Sequence, residues 1–182
     1  MSLPPPLEGE PRKRLLQTFD RIGQFAARVE GAWGDQMECR AGCDECCRQV
    51  LALRGVEAAY LLEGARQAGA RGMSHIWRRL ETPAETCPLL LQGFCLAHSH
   101  RPAICRTHGL PLLRREGERA VVHHCSRNFR GLDPAELSAS LILDEARLVL
   151  ILDVVDELFC RETGWPGGRV RTDELLRAGL RP

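Results

Sequence analysis

Four cysteines lie within nine residues of one another in the run Cys39-Arg-Ala-Gly-Cys43-Asp-Glu-Cys46-Cys47. Cysteine is a small side chain whose chemistry, more than its packing, usually decides where it occurs. Thiolates separated by two or three residues can turn toward one soft metal ion or one iron–sulfur cluster. Four more cysteines follow, at Cys87, Cys95, Cys105 and Cys125. We therefore predict that these eight cysteines form one metal centre or two.

Two other interpretations of the cysteines compete with metal binding. Disulfides would need an oxidising compartment, the total of nine cysteines is odd, and a bridge between the adjacent Cys46 and Cys47 would be strained. An incidental buried cysteine is the second interpretation, and we apply it to Cys160, which lies far from the others in sequence. Because sulfur ligands select zinc or iron–sulfur clusters, we expect one of these, and of the two we favour the iron–sulfur cluster. Adjacent side chains diverge, so Cys46 and Cys47 would serve different metals or different irons of one cluster.

Basic residues follow the cysteines closely. A centre with four thiolates carries net negative charge, and Arg101 and Arg106, on either side of Cys105, are our candidates to compensate it. The alternative is that both are ordinary surface arginines. Histidines could also replace a thiolate, although each taken singly is more typical of an exposed or hydrogen-bonded side chain; they are His98, His100, His108, His123 and His124.

Composition and charge narrow the class of protein. The 182 residues suggest a single domain, and 44% hydrophobic with 27% charged residues is typical of a globular protein. A net charge of +1 predicts no strong attraction to nucleic acid or to an anionic membrane. The first residues lack a secretory signal, and charges interrupt the most apolar segment, 141–155, so that no membrane span is expected. We expect a cytoplasmic location, where clustered cysteines more often bind metal than form disulfides.

The chain predicts helices around an irregular middle. Residues 1–10 are proline-rich and are expected to form a flexible tail, and residues 11–182 a single domain. Spacings of three and four predict a helix from Pro11 whose apolar stripe is Leu15, Phe19, Ile22, Ala26, Val29 and Trp33. A second helix is predicted over 56–67, and a short third one over 74–80, with Ser74 as its cap and Thr82-Pro83 as its stop.

The second half is expected to hold a loop, one hairpin and a long helix. The sequence predicts a loop over residues 86–109, which a bound metal would order. It predicts a β-hairpin from residues 110–115 and 119–124. Asp133 and Pro134 predict the start of a helix over about 134–161, with Asp144 on its apolar face, paired with Arg147 or with one of the two candidate arginines. A last short helix starts at Thr172. The predicted class is mainly α with a small β-hairpin, in which helices flank a metal-clamped, cysteine-rich core at about 36–130.

The ordered motifs resemble a known family. Its members share the pattern seen here as Cys39-x3-Cys43-x2-Cys46-Cys47, Cys87-Pro88-Leu89, Gly93-x-Cys95, Arg101-Pro102-x-x-Cys105-Arg106 and a final Cys125. This resembles the YkgJ-type cysteine cluster proteins, also described as the CxxCxxCC zinc- or iron-chelating domain, over about residues 36–130. The first gap departs from that label, with three residues in place of two. The resemblance implies metal binding through the eight cysteines, and members are often labelled Fe–S oxidoreductases.

Two enzyme classes with similar motifs fit less well. A similar domain occurs in flagellin lysine methylases, but this chain is short for that enzyme and shows no glycine-rich methyl-donor loop after a strand. The first three cysteines also match the radical S-adenosylmethionine spacing, but that chemistry needs a barrel of repeated βα units, which the helical pattern does not supply.

Two functions are therefore expected from the sequence. The first is an iron–sulfur protein with an electron-transfer or redox-sensing role, a redox partner protein and, if it is an enzyme, an oxidoreductase-like activity. The second is a zinc-stabilised, non-enzymatic binding module for a protein or nucleic-acid partner. Under either, removing the metal is expected to unfold residues 36–130.

Overall fold

The amino-terminal helix is the longest element. The computed structural model describes residues 2–40, 42–81, 86–132 and 136–180, and α1 runs over Gly9–Trp33. Its buried apolar side chains include Leu15, Phe19, Ile22, Phe25 and Val29, which confirms most of the predicted stripe. Phe25 takes the place expected for Ala26, and Ala26 and Trp33 are only partly buried. The segment before α1, which we expected to be a flexible tail, instead packs on the core, because Leu7 is only 4% exposed.

The second helix lies at the centre of the core. α2 spans Gly55–Arg66, one residue from the prediction at each end, and ten of its twelve residues are buried. α3 spans Gly69–Glu81 and is longer than the short helix predicted there. Ser74 lies inside α3 and its hydroxyl donates to the Ala70 carbonyl at 3.1 Å, so it is not the predicted cap. The predicted stop at Thr82-Pro83 lies outside the described residues.

The long carboxy-terminal helix starts later than predicted. α5 spans Glu145–Thr163, and the prediction of a start near 134 is wrong, because residues 139–141 form a 3₁₀ turn and β6, Leu143–Asp144, is a short strand. Asp144 is exposed and caps α5 by accepting a hydrogen bond from the Arg147 amide at 3.0 Å. This position in solvent also excludes the buried partnership of Asp144 with Arg101 or Arg106. Residues 133–135, where the start was predicted, lie outside the described part of the chain.

Short strands join distant parts of the chain. The predicted hairpin is confirmed as β4, Leu112–Glu116, and β5, Arg119–His123, and β6 pairs with β4 in parallel. Two further small sheets were not predicted: β2, Leu90–Leu91, pairs with β3, Phe94–Cys95, and β1, Ala52–Arg54, pairs with β7, Arg169–Arg171. Helix α4, Ala103–Thr107, lies within the predicted loop, and α6, Thr172–Gly179, confirms the last helix. The predicted class, mainly α with small β elements, is confirmed.

A buried ion-pair network ties three helices together. The Arg54 and Glu57 side chains are 7% and 4% exposed, and their charged atoms lie 3.3 Å apart. Arg54 also donates to Asp153 on α5 at 2.7 Å, and Glu57 accepts the first amide of α4, from Ala103, at 2.8 Å. Because buried charges are stable only when paired and hydrogen-bonded, this network fixes α4 and α5 against α2. None of the helices in the described residues is long and apolar enough to cross a membrane.

Candidate metal centre

The first cysteine segment is folded against the second. The Cys43 amide donates to the Arg40 carbonyl at 2.9 Å, and residues 45–47 form a single 3₁₀ turn. The Cys87 amide donates to the Cys47 carbonyl at 2.7 Å, which joins the two cysteine-bearing segments directly. Residues 42 and 93 are glycines with positive φ, and a side chain at Gly93 would come within 3.3 Å of the Gly42 Cα. This contact needs the absence of side chains, and it lets the turn between β2 and β3 approach the first segment.

Four thiols from four parts of the chain lie close enough to influence one another's ionisation. Burial first, and then the thiols of Cys87, Cys46 and Cys95, together raise the pKa of Cys105 to about 12. Burial likewise raises the pKa of Cys87 to about 11, with Cys95 and Cys46 acting in the same direction. Since charges influence each other strongly only over about 10 Å, the structure brings these four thiols into one neighbourhood.

Backbone amides lie near two of these sulfurs. The N–H of Leu89 lowers the pKa of the Cys87 thiol and the N–H of Ala97 that of the Cys95 thiol, in each case against the larger, opposite effect of burial. In both cases the donor lies two residues after the cysteine, because the chain turns sharply there. A hydrogen bond to sulfur stabilises the thiolate, the form that binds metal.

Cys39, Cys43 and Cys125 form a second neighbourhood. Burial raises the pKa of Cys39, and the thiols of Cys43, Cys125 and Cys46 contribute in the same direction. A hydrogen bond with the Cys47 side chain and then burial raise the pKa of Cys46. Cys46 therefore lies within range of both neighbourhoods, and the adjacent pair Cys46 and Cys47 connects them.

Asn128 is a site residue that the sequence reasoning missed. It is fully buried, and its amide nitrogen donates to the Cys39 sulfur at 3.2 Å and to the Gly109 carbonyl at 2.7 Å. Its amide oxygen accepts the backbone N–H of Glu38 at 2.8 Å. All these partners are distant in sequence, and the one available signal was an amide side chain three residues after Cys125. Asn128 fixes the position of Cys39 and supplies a hydrogen bond to its sulfur.

The two candidate arginines have different surroundings. The charge of Arg101 lowers the pKa of Cys46, Cys95 and Cys105 against the opposing effect of burial, so this guanidinium lies near the first neighbourhood. Arg106 instead stacks 4.3 Å from the Phe19 ring and donates to the Arg101 carbonyl at 2.7 Å. It therefore supports the loop that carries Arg101.

A third arginine near the sulfurs was not predicted. The charge of Arg79, on α3, lowers the pKa of Cys87, again against the larger effect of burial. Its Nε atom is buried and has no hydrogen-bond partner among the residues that the structure describes. The basic residues 78 and 79 at the end of a predicted helix gave no indication of this role.

The histidines are engaged elsewhere or exposed. His100 packs on Tyr60, with 4.6 Å between ring centroids, and His123 contacts Glu116 at 2.8 Å. His124 contacts the Cys125 carbonyl at 3.0 Å. Burial lowers the pKa of His98 and of His108, and Arg101 or Arg114 respectively acts in the same direction. These surroundings agree with the interpretation of each as an ordinary histidine.

An open cleft of about 1090 Å³ lies beside the second neighbourhood. Cys125 and His124 are on its wall, with Arg127, Arg130 and Arg114. The cleft carries little unpaired charge, because Arg127 and Arg130 contact Glu38 at 2.9 and 4.0 Å and Arg114 pairs with Glu145 at 2.6 Å.

The arrangement of the thiols is looser than a coordination shell. Across residues 2–40, 42–81, 86–132 and 136–180, no group of three or more Cys, His, Asp or Glu side chains is placed so as to hold a metal ion. The structure brings seven of the eight predicted cysteines into two neighbourhoods that meet at Cys46, with Cys47 beside Cys46 and with amide groups and arginine charges nearby. Comparisons of the chain with protein-family models, with curated proteins and with solved structures found no match.

Proposed function

We propose that this chain is a cytoplasmic metal-binding cysteine cluster protein, as its resemblance to the YkgJ-type family implies. The observation that carries the proposal is the gathering of thiols from separate segments, two of them near a backbone N–H that lowers the pKa of the thiol. Sulfur ligands with N–H donors fit a thiolate-bound metal, because the donors stabilise the anionic form of each sulfur.

The two neighbourhoods suggest how the ligands divide. One set would be Cys46, Cys87, Cys95 and Cys105, and the other Cys39, Cys43, Cys47 and Cys125. Each set has four thiols, the number that a tetrahedral zinc or a cubane cluster takes. Arg101 and Arg79 would compensate the charge of the first set and Asn128 would donate to the second.

Between an iron–sulfur cluster and zinc, we favour an iron–sulfur cluster with an electron-transfer or redox-sensing role. The reduction potential of such a cluster depends on hydrogen bonds to its sulfurs, on nearby charge and on solvent exposure. This chain supplies a side-chain amide donor at Cys39, backbone N–H groups near Cys87 and Cys95, and positive charge from Arg101. When bound, the cluster would supply the electron, while these residues would hold it and set its potential.

The alternative is a zinc-stabilised binding module. Two large apolar side chains beside proposed ligands favour a docked protein partner: Phe94, next to Cys95, is 60% exposed, and Ile104, next to Cys105, is 48% exposed. Exposed apolar groups around a centre fit a protein interface. A redox partner would use the same surface, so metal identity separates the two functions.

The test is anaerobic purification with metal and acid-labile sulfide analysis and a visible spectrum. The proposal expects bound iron, sulfide and visible absorbance, whereas a colourless zinc protein would support the binding module, and a well-folded protein without metal would refute both. Cys95→Ser and Cys125→Ser should lose metal, each from its own set, while the control Cys160→Ser should retain it. A chelated sample, verified as metal-free, should lose stability, by on the order of 10 kcal/mol per structural zinc if the metal is zinc.

A further inference from the structure

Helix α5 presents an apolar face to solvent. The helix packs on the core through Leu148 and Leu152, while on the opposite face Leu150 is 64% and Val154 58% exposed. The large apolar side chains exposed on α5 are Val149, Leu150, Ile151 and Val154. An apolar stripe of this kind on a helix without a partner is typical of a contact surface.

Charged residues continue this stripe with coiled-coil spacing. Arg147, Leu150, Val154, Glu157 and Arg161 alternate intervals of three and four residues, so that they lie along one side of the helix. Arg147, Glu157 and Arg161 are exposed, and none of the three makes an ion pair with another described residue. The apolar centre is therefore flanked by a positive group on its amino-terminal side and by a negative one on its carboxy-terminal side.

This order of charges is self-complementary. In an antiparallel pair of α5 helices related by a two-fold axis, Leu150 of one copy lies opposite Val154 of the other. Arg147 then lies opposite the partner's Glu157, since each is three residues beyond the central pair, and the symmetry makes this contact twice. Arg161 comes to the region of the partner's Asp144, which is also exposed. We propose that α5 is a self-association surface through which two copies of the chain form an antiparallel dimer.

The length of α5 also limits the expected affinity of the dimer. A helix of 19 residues is about 28 Å long. A pair of such helices buries less than the roughly 800 Å² per partner of a standard interface. The dimer should accordingly have a Kd on the order of micromolar, in exchange with monomer.

Sedimentation velocity of the full chain, from about 1 to about 300 µM, tests the dimer. The wild-type weight-average mass should rise toward twice 20.3 kDa across this range. Leu150→Glu should weaken association on the order of 100-fold, because two apolar side chains leave the centre and two like charges enter it. Ala27→Glu, at an exposed position of α1, is the control and should associate like wild type.

A charge reversal distinguishes pairing from a general loss of solubility or folding. Arg147→Glu and Glu157→Arg should each weaken association roughly tenfold, and the double variant should restore it because both two-fold-related pairs re-form with opposite sign. A wild-type chain that stays monomeric throughout, or a double variant no better than the single ones, overturns the proposal. None of these positions is a proposed metal ligand, so the variants should keep the metal content and thermal stability of wild type. The dimer and the metal site can therefore fail independently.

Discussion

Replacement of Asn128 should reveal how strongly the buried amide holds the second cysteine neighbourhood together. In Asn128→Ala the Glu38 amide and the Gly109 carbonyl lose partners at 2.8 and 2.7 Å. Each unpaired polar group that stays buried costs about 1–3 kcal/mol, and the vacated volume adds to this. We expect a loss of about 3 kcal/mol in the free energy of unfolding, and about 4 kcal/mol for Asn128→Asp, where a carboxylate oxygen faces a carbonyl and a sulfur.

Urea denaturation under anaerobic conditions measures both losses. Thr172→Val is the matched control: Thr172 is 1% exposed and accepts one backbone hydrogen bond, from Leu51 at 3.3 Å, away from any proposed ligand. Its replacement should cost about 1 kcal/mol. The expected order of damage is Asn128→Asp, then Asn128→Ala, then Thr172→Val. An Asn128→Asp variant within about 0.5 kcal/mol of wild type, the range of surface substitutions, would refute the reasoning.

Three further predictions concern other parts of the same framework. Gly109→Ala should lower the metal content and the melting temperature, because its methyl group would overlap the Cys39 sulfur; unchanged metal analysis would contradict this. Arg54→Met leaves the Glu57 carboxylate buried without its cation and should lower the free energy of unfolding by about 3–5 kcal/mol in urea, whereas an unchanged midpoint would show that the network is unimportant. A hydrogen bond from Arg12 on α1 lowers the pKa of Glu63 below its ordinary value of 4.5. The stabilisation that this ion pair gives the fold is therefore complete above pH 4.5 and is lost as the pH falls through the lowered pKa of Glu63. Glu63→Gln should thus be less stable than wild type at neutral pH, with a difference that shrinks on acidification, and a difference that is constant with pH would exclude this linkage.

The helices could be predicted where apolar side chains recur along the sequence at helical spacing. The apolar residues of α1 recur every three or four positions, and α2 is an apolar segment of its own, so both helices were located from local patterns. The start of α5 was not, because Asp133 and Asp144 are both good caps and only the tertiary structure decides between them. β6 pairs with β4, with Leu112 opposite Leu143, and this pairing keeps the chain extended as far as Asp144, so that α5 begins after it.

The candidate site was likewise only partly predictable from the sequence. The cysteines could be proposed as ligands from their spacing, because cysteine is a residue type with metal-binding chemistry. Asn128 could not, because its role depends on a contact with Cys39, 89 residues earlier in the chain. The charge of Arg79 near Cys87 depends likewise on how α3 packs, which no local pattern contains.

Because β1 pairs with β7, the fold around the first cysteine segment can be completed only after β7 has been synthesised. β1 follows the first cysteine segment closely, yet its partner strand, with Val170 opposite Leu53, leaves the ribosome among the last residues described. The amide of Thr172 and the carbonyl of Leu51 close the same junction at 2.9 Å. A nascent chain that has not yet made β7 therefore leaves β1, which follows the first four thiols, with an unpaired edge. If the cysteines bind metal as proposed, loading should accordingly follow the synthesis of β7, and ribosome-bound chains that stop before β7 should take up little metal.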